Sequence, residues 1–315
     1  MRNDLLLKIE SGDALSDSEK RELFMEMGKN SREAEELRKD FAASRGELLL
    51  PVLRQQSLIR QIFRESFTNG QQIPYPIRSK RIRAAWFMAS ISGVPQRTAE
   101  QDEMVFPTFY IKGGARWYLD YARAGNYELI EELENDQMDE VAYKENLAGW
   151  TLIKAAEASG DMLVIDKISA ETGFTVKVMV EIITNLEEQD DKRQISDIYL
   201  SPRRYNDILN WAKLDVEQLD DGTRREIFSR GPEAVANILR SWGVAFHKVF
   251  DPEFVDDTKC YCFQGSRFGV MPVDKRWETV HDDQAKMTWE DGWIGREQVG
   301  FGITDLPSGC VYKFA

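Results

Sequence analysis

Histidine is nearly missing from this sequence: His247 and His281 are the two in 315 residues. Zinc sites and imidazole relays draw on histidine first, so the scarcity narrows both. His247 lies in an alternating stretch that reads as a strand, where a packed or edge role fits better than a catalytic base. Cysteine is scarce as well. Cys260, Cys262 and Cys310 are an odd set that does not suggest a disulfide framework. Cys260 and Cys262 flank Tyr261, so on a strand they would share one face as small apolar residues, and neither histidine has ligand spacing to them. Long apolar runs are lacking. Leu48–Leu50 and Ala84–Ala89 are far too short to span a bilayer, and MRNDLLLKIESGD has no apolar stretch of secretory-signal type. The expectation is a chain without a membrane segment. Positive charge is short too. Forty-one Lys and Arg against 54 Asp and Glu leave −13, which argues against gripping nucleic acid through a basic surface. It does not exclude a place beside nucleic acid.

Catalytic patterns are equally thin. Gly113-Gly114 match neither a phosphate loop nor a dinucleotide fingerprint, and Gly265 and Gly269 are wrongly spaced around Ser266 for a nucleophile elbow. The doublets Asp190-Asp191, Asp220-Asp221, Asp256-Asp257 and Asp282-Asp283 are expected largely by chance among 54 acidic residues. Each falls in a predicted loop or helix end and reads as solvated. The sequence therefore assigns no catalytic residue, no cofactor and no metal ligand, and the expectation is a protein that is not an enzyme.

What is present is ordinary globular material, 42% hydrophobic and 30% charged, with length for about two domains. Ser16 and Glu19 form a capping-box pattern. SREAEELRKDFAASRGE is rich in both charges and reads as a solvated helix or a mobile arm. Residues 47–67 carry Leu48, Leu49, Val52, Leu53, Leu58, Ile59, Ile62 and Phe63 at helical spacing, with Pro51 expected to interrupt or restart the helix. After Asn69-Gly70, extended arms at about 79–92 and 103–112 flank a polar tip near 93–102, the pattern of a long β-hairpin. Arg78, Lys80, Arg81 and Arg83 form the one clear basic cluster, with Trp86 and Phe87 nearby. It could meet nucleic acid or the acidic surface of a neighbouring copy.

The strongest element is residues 126–159, without proline and with one glycine, Gly149. Ile130, Leu133, Val141, Ala148 and Leu152 approximate one face, and Glu131, Glu132, Asp136 and Asp139 the other. At 1.5 Å per residue this helix runs about 50 Å. Met179, Ile182, Ile183 and Leu186 mark an amphipathic helix. ISDIYLS reads as a buried strand, followed by a helix with Ser201 as N-cap, Pro202 at its first position and a Tyr205, Ile208, Leu209 stripe. EAVANILRSWG is a further helix ended by Gly243, beyond a charged loop around Asp220-Asp221-Gly222. The C-terminal stretches VAFHKVF, KCYCFQG, FGVMPV, QVGFGI and CVYKFA read as strands.

This order, and the wording of residues 105–156, ISDIYLSPRRYNDILNWA, DGTRREIFSRG and GVMPVDKRWETV, resembles the major capsid proteins of tailed bacteriophages. The resemblance covers roughly residues 48–315. It implies an α+β Hong Kong 97-like capsid fold: an N-terminal helical arm over 1–72, an extended loop over 73–125, a peripheral domain with the spine helix over 126–196, an axial α/β domain over 197–284, and C-terminal strands over 285–315 returning to the peripheral domain. It further implies pentamers and hexamers closing an icosahedral shell around DNA held without sequence-specific binding. The implied partners are other copies of the chain, a portal, scaffold or maturation proteins and a decoration protein. The implied location is the virion, assembled in a bacterial host's cytoplasm. Expected contacts between copies are Arg78, Lys80, Arg81, Arg83, Trp86, Gln96, Arg97, Glu100 and Asp102. An encapsulin-type cargo shell shares the fold and stays open, as does an acidic hydrolase using one aspartate doublet.

Deleting residues 93–102 should leave the thermal midpoint near that of the intact chain while impairing assembly, as followed by electron microscopy. Loss of soluble folding would overturn the hairpin assignment.

Overall fold

Side-chain capping sets where the N-terminal helices begin. The computed structural model describes residues 16–29, 31–77, 102–124, 127–160, 162–166, 173–187, 195–211, 243–265, 267–282 and 289–314. Helix α1 (Asp17–Met27) opens on the expected capping box: Glu19 N donates to Ser16 Oγ, and Ser16 N donates to Glu19 Oε2 at 2.9 Å. Helix α2 (Arg32–Gln56) starts at Ser31, whose hydroxyl accepts from Ala34 N at 3.1 Å.

Three expectations for this region are corrected. The charged stretch after Ser31 is neither solvated nor an unattached arm. Leu37, Phe41 and Ala42 are buried with Leu23, Phe24 and Met27 of α1 in the main core, and Phe24 meets Phe41 edge-on at 5.3 Å. Pro51 does not interrupt the helix, which runs 25 residues through it. Leu49 and Leu53, on either side of it, are both buried, so packing outweighs the one lost backbone hydrogen bond. The helical reading also extends too far. After α2 only the short α3 (Ile59–Ile62) follows, and Phe63 opens strand β1 (Phe63–Phe67).

Beyond Asn69-Gly70, where both residues have positive φ (49° and 81°), the chain forms β2 (Tyr75–Ile77), β3 (Asp102–Met104), β4 (Thr108–Tyr118) and α4 (Leu119–Arg123). The long helix α5 (Tyr127–Ala158) has 32 residues and spans about 48 Å. Then come β5 (Leu163–Ile165), α6 (Val176–Glu187), β6 (Asp197–Leu200), α7 (Pro202–Trp211), β7 (Ala245–Lys248), β8 (Lys259–Phe263), β9 (Gly269–His281), β10 (Glu290–Gly300), β11 (Gly302–Ile303) and β12 (Gly309–Lys313). The helix expected from EAVANILRSWG and the loop around Asp220-Asp221-Gly222 lie outside the described residues.

Two open sheets flank α5. The first has the order β1-β9-β10-β4, with β11 beside β9; β4, β10 and β9 are antiparallel and β1 joins in parallel. Its covered face presents Ile111, Ala115, Trp117, Val273, Trp277 and Trp293 to the helices. The second has the order β5-β12-β8-β6-β7. Strand alternation gives it two cores. Tyr199, Tyr261, Phe263 and Val311 face α5, where Trp150 meets Tyr261 edge-on at 5.0 Å. Cys260, Cys262, Cys310 and Ile198 face α6 and α7, against Val178, Met179, Ile182, Leu186 and Ile208.

The buried stripe of α5 runs Ile130, Glu134, Met138, Val141, Glu145, Trp150 and Ile153, while the expected Leu133 and Leu152 are only partly buried.

 Ala148 is likewise half-buried, so the true stripe is rotated relative to the expected one and takes in two carboxylates. Glu132, Asp136 and Asp139 are exposed on the opposite face as expected. Gly149 has a packing reason: a Cβ there would stand 2.7 Å from Ile59, so the glycine lets α3 lie directly on α5.

Ile182 is fully buried in the second core. Ile182→Asp would place an unpaired charge there and should cost more than about 4 kcal/mol in denaturant unfolding. Unchanged stability would contradict the assigned helix face. Trp150→Ala should cost about 3–5 kcal/mol, because the indole fills the joint between α5 and the second sheet.

Candidate functional site

Of the expected contact residues, Arg78, Lys80, Arg81, Arg83, Trp86, Gln96, Arg97 and Glu100 lie outside the described residues. Asp102 is placed by its backbone in β3, directly opposite Ile77 of β2. The expected second arm at 103–112 is corrected. It divides: β3 pairs with β2, whereas residues from Thr108 onward pair with β10 in the first sheet. Phe106 and Pro107 lie at the break, and beyond it Ile111, Ala115 and Trp117 alternate inward toward α5.

The base of the loop is built on aromatic contact. Tyr75 stacks on Phe106 at 5.8 Å, and its hydroxyl donates to Ser66 Oγ at 3.0 Å. Beside it lies a cavity of about 380 Å³ lined by Thr68, Gln71, Tyr75, Phe106, Pro272 and Asp274 among others. Asp274 is its one carboxylate, and it is engaged in holding the turn: Gly70 N and Thr68 Oγ1, the latter at 3.2 Å, both donate to Oδ1. The cavity therefore offers no pairing of nucleophile and base.

The face of the first sheet that no described residue covers has a different character. Ile294 of β10 lies between Gly114 of β4 and Val280 of β9, and Arg296 lies between Lys112 and Glu278. Arg296 and Glu278 pair at 2.6 Å. Val280 is 51% exposed, and Tyr110 and Tyr118 are similarly open. Apolar and aromatic groups thus alternate with charged ones on a broad strand surface, a composition suited to contact with another macromolecule. Sequence reasoning missed this surface because it assigned the first residues of β4 to the hairpin.

The polar clusters elsewhere hold structure together. Ser196 Oγ donates to Asp197 Oδ2 at 2.5 Å, and His247 Nε2 lies 2.8 Å from Asp197 Oδ1. The carboxylate stands between hydroxyl and imidazole, whereas a nucleophilic relay needs the imidazole in the middle. His247 also stacks on Tyr199 at 4.6 Å in edge strand β7, as a packed edge residue does. Asp257 accepts from Ser201 Oγ at 2.6 Å, and Ser201 caps α7 by accepting from Arg204 N. Asp256 binds Thr258, and Asp282 pairs with Arg116 at 2.5 Å. Asp190, Asp191, Asp220, Asp221 and Asp283 lie outside the described residues. The Cys262 thiol is pushed well above its ordinary range by hydrogen bonding with Cys260 and Cys310 and by burial, which leaves it a poor nucleophile.

Arg60 anchors the most heavily buried cluster. Its Nη2 lies 2.6 Å from both Glu145 and Glu297, and its Nη1 3.0 Å from Glu65. Burial pushes the Glu297 carboxyl up to about 8 against the opposing pull of Arg60, and Glu145 beside it adds to the rise. A raised carboxyl can mark an acid catalyst. Here the guanidinium fills the place a substrate would take. Among the described residues, no group of three or more His, Cys, Asp or Glu side chains could hold a metal ion, and no helix is long and apolar enough to cross a membrane.

No protein-family model and no curated protein matches the sequence. Solved structures do match in three dimensions. A chain of Microbacterium phage Oxtober96 is 12% identical, with a TM-score of 0.56 over 82% of this chain and 90% of that one. The capsid of the native GTA particle gives the same identity, TM-score and coverage. The capsid of the cyanophage P-SCSP1u is 11% identical, with a TM-score of 0.53 over 82% of this chain and 88% of its own. At such identities the likeness is one of architecture, and that architecture is the α+β Hong Kong 97-like capsid fold.

Proposed function

We propose that this chain is a structural subunit that self-assembles into a closed shell, the icosahedral head enclosing phage DNA, and that it carries no catalytic activity. The observation behind this reading is the shared fold, which extends over 82% of the chain and 90% of the capsid chain of the native GTA particle. Subunits in pentamers and hexamers must meet copies of themselves through several surfaces at once, and such contacts generate a container only if they close. Two features fit that demand. Among the described residues the first sheet has a covered face and an open one, and β2 pairs antiparallel with β3. Arg78, Lys80, Arg81, Arg83, Trp86, Gln96, Arg97, Glu100 and Asp102 are our candidates for contacts between copies.

The charge of −13 suits a wall that encloses nucleic acid without sequence-specific binding. The arm, extended-loop, peripheral and axial divisions set out above belong to the same reading. So do a portal, scaffold or maturation proteins and a decoration protein as partners, and the virion as location.

Purified full-length chain, viewed by negative-stain electron microscopy, should yield closed particles or pentamers and hexamers. A uniformly monomeric population under every assembly condition would sink the proposal. Val280→Asp, on the open face, should cost less than about 1 kcal/mol of stability and markedly reduce assembly. Assembly at the intact level would remove that face from the contact surface.

A further inference from the structure

Four segments of the chain cross at Arg60. Its Nε and Nη2 form a fork on Glu145 of α5, at 3.0 and 2.6 Å. Nη2 also reaches Glu297 of β10 at 2.6 Å, and Nη1 reaches Glu65 of β1 at 3.0 Å. Arg54 of α2 holds Glu65 from the other side at 2.7 Å. The inner three side chains are almost sealed from water, at 4% exposure for Arg60, 0% for Glu145 and 1% for Glu297. Arg54 and Glu65 form the wetter rim.

Among the described residues, the neighbouring elements supply no further cation. Across β10, Glu297 faces Ile111 of β4. Toward β9 it falls at the irregularity between the Arg296–Glu278 and Gln298–Lys275 pairs. Arg296 and Glu278 pair with each other on the exposed side, and Lys275 is exposed. From α5, the adjacent Asn146 accepts from Ile59 N at 3.1 Å and is uncharged. Arg54 and Glu65 balance one another. One guanidinium therefore remains for two buried carboxyls, and fully ionised they would leave an uncompensated negative charge where water cannot reach it.

We propose that this junction is a proton-controlled latch: one proton held on Glu297, beside Glu145, keeps the corner formed by α3 and β1 against α5 and β10, and loss of that proton in mildly alkaline solution loosens the corner. Arg60 Nη2, at 2.6 Å from each, brings the two carboxyls together, and the raised Glu297 carboxyl agrees with a proton held there. The direction of the effect follows from linkage. Glu297 ordinarily titrates near 4.5 and here near 8, so the folded chain holds an extra proton between those values. Its contribution to stability is full below the lower value, declines as pH rises through the upper one and is constant beyond it. The latch ties the N-terminal helical layer to the long helix and first sheet, so its state sets how firmly those layers grip one another.

The test compares full-length wild type with Glu297→Gln, in which an amide takes the place of the protonated acid. Between pH 6 and pH 9 the thermal midpoint of the wild type should fall about 5 °C further than that of the variant. Hydrogen exchange, corrected for intrinsic rate, should show protection of residues 59–67 falling with pH in the wild type and holding in the variant. Parallel curves for the two proteins, or exchange at 59–67 that is insensitive to the substitution, would overturn the latch. If Glu297→Gln does not fold, Glu145→Gln takes its place with the same expectation. Failure of both to fold would also overturn it, because the latch already contains one neutral carboxyl.

Discussion

The packing of α5 between two sheets is the constraint on which the other contacts depend. Its first half carries Ile130, Met138 and Val141 against the first sheet, and its second half carries Trp150 and Ile153 against the second. Neither sheet closes on itself, so each needs that helix to bury its inner face. Glu134 accepts from Trp293 Nε1 at 2.9 Å and fixes the rotation of the helix over β10. Glycine at position 149 then admits Ile59, and with it α3 and β1. Registry along one rod thereby settles where the N-terminal helices, the long strands and the second sheet lie.

A molecule organised this way has one-sided layers. The second sheet is covered on both faces, by α5 on one and by α6 and α7 on the other. Among the described residues the first sheet is covered on one face only, and its other face mixes Tyr110, Tyr118, Val280 and Ile294 with the Arg296–Glu278 pair. The polar clusters join segments distant in sequence: Arg60 with Glu145 and Glu297, Lys259 and Tyr261 with Glu157, Arg116 with Asp282. Their distances and burial describe fastening, and the shell reading gives such fastening a purpose, since a subunit under load from its neighbours must keep its layers aligned.

Elements governed by local chemistry were legible in the sequence. The limits of α5, the Ser201 cap, the Met179–Ile182–Leu186 stripe and the shared face of Cys260 and Cys262 follow from periodicity and capping, which need no knowledge of the partner. Elements governed by distant partners were not. Leu37 and Phe41 sit in a highly charged stretch, and only their contact with α1 and the first sheet makes that helix internal. Phe63–Phe67 continues a helical spacing yet becomes a strand because β9 offers it a parallel edge. Glu145 and Glu297 look like surface carboxylates until Arg60 meets them from elsewhere in the chain. Most of the proposed contact residues lie outside the described residues, so their reading rests on sequence pattern and resemblance.

The central claim concerns contact between copies, and cryo-electron microscopy of particles assembled from the full-length chain tests it most directly. The account predicts a closed shell whose wall contains this fold, with the open face of the β1-β9-β10-β4 sheet covered by a neighbouring subunit. Particles in which that face is bare to solvent on every copy, or a chain that forms no shell at all, would contradict it.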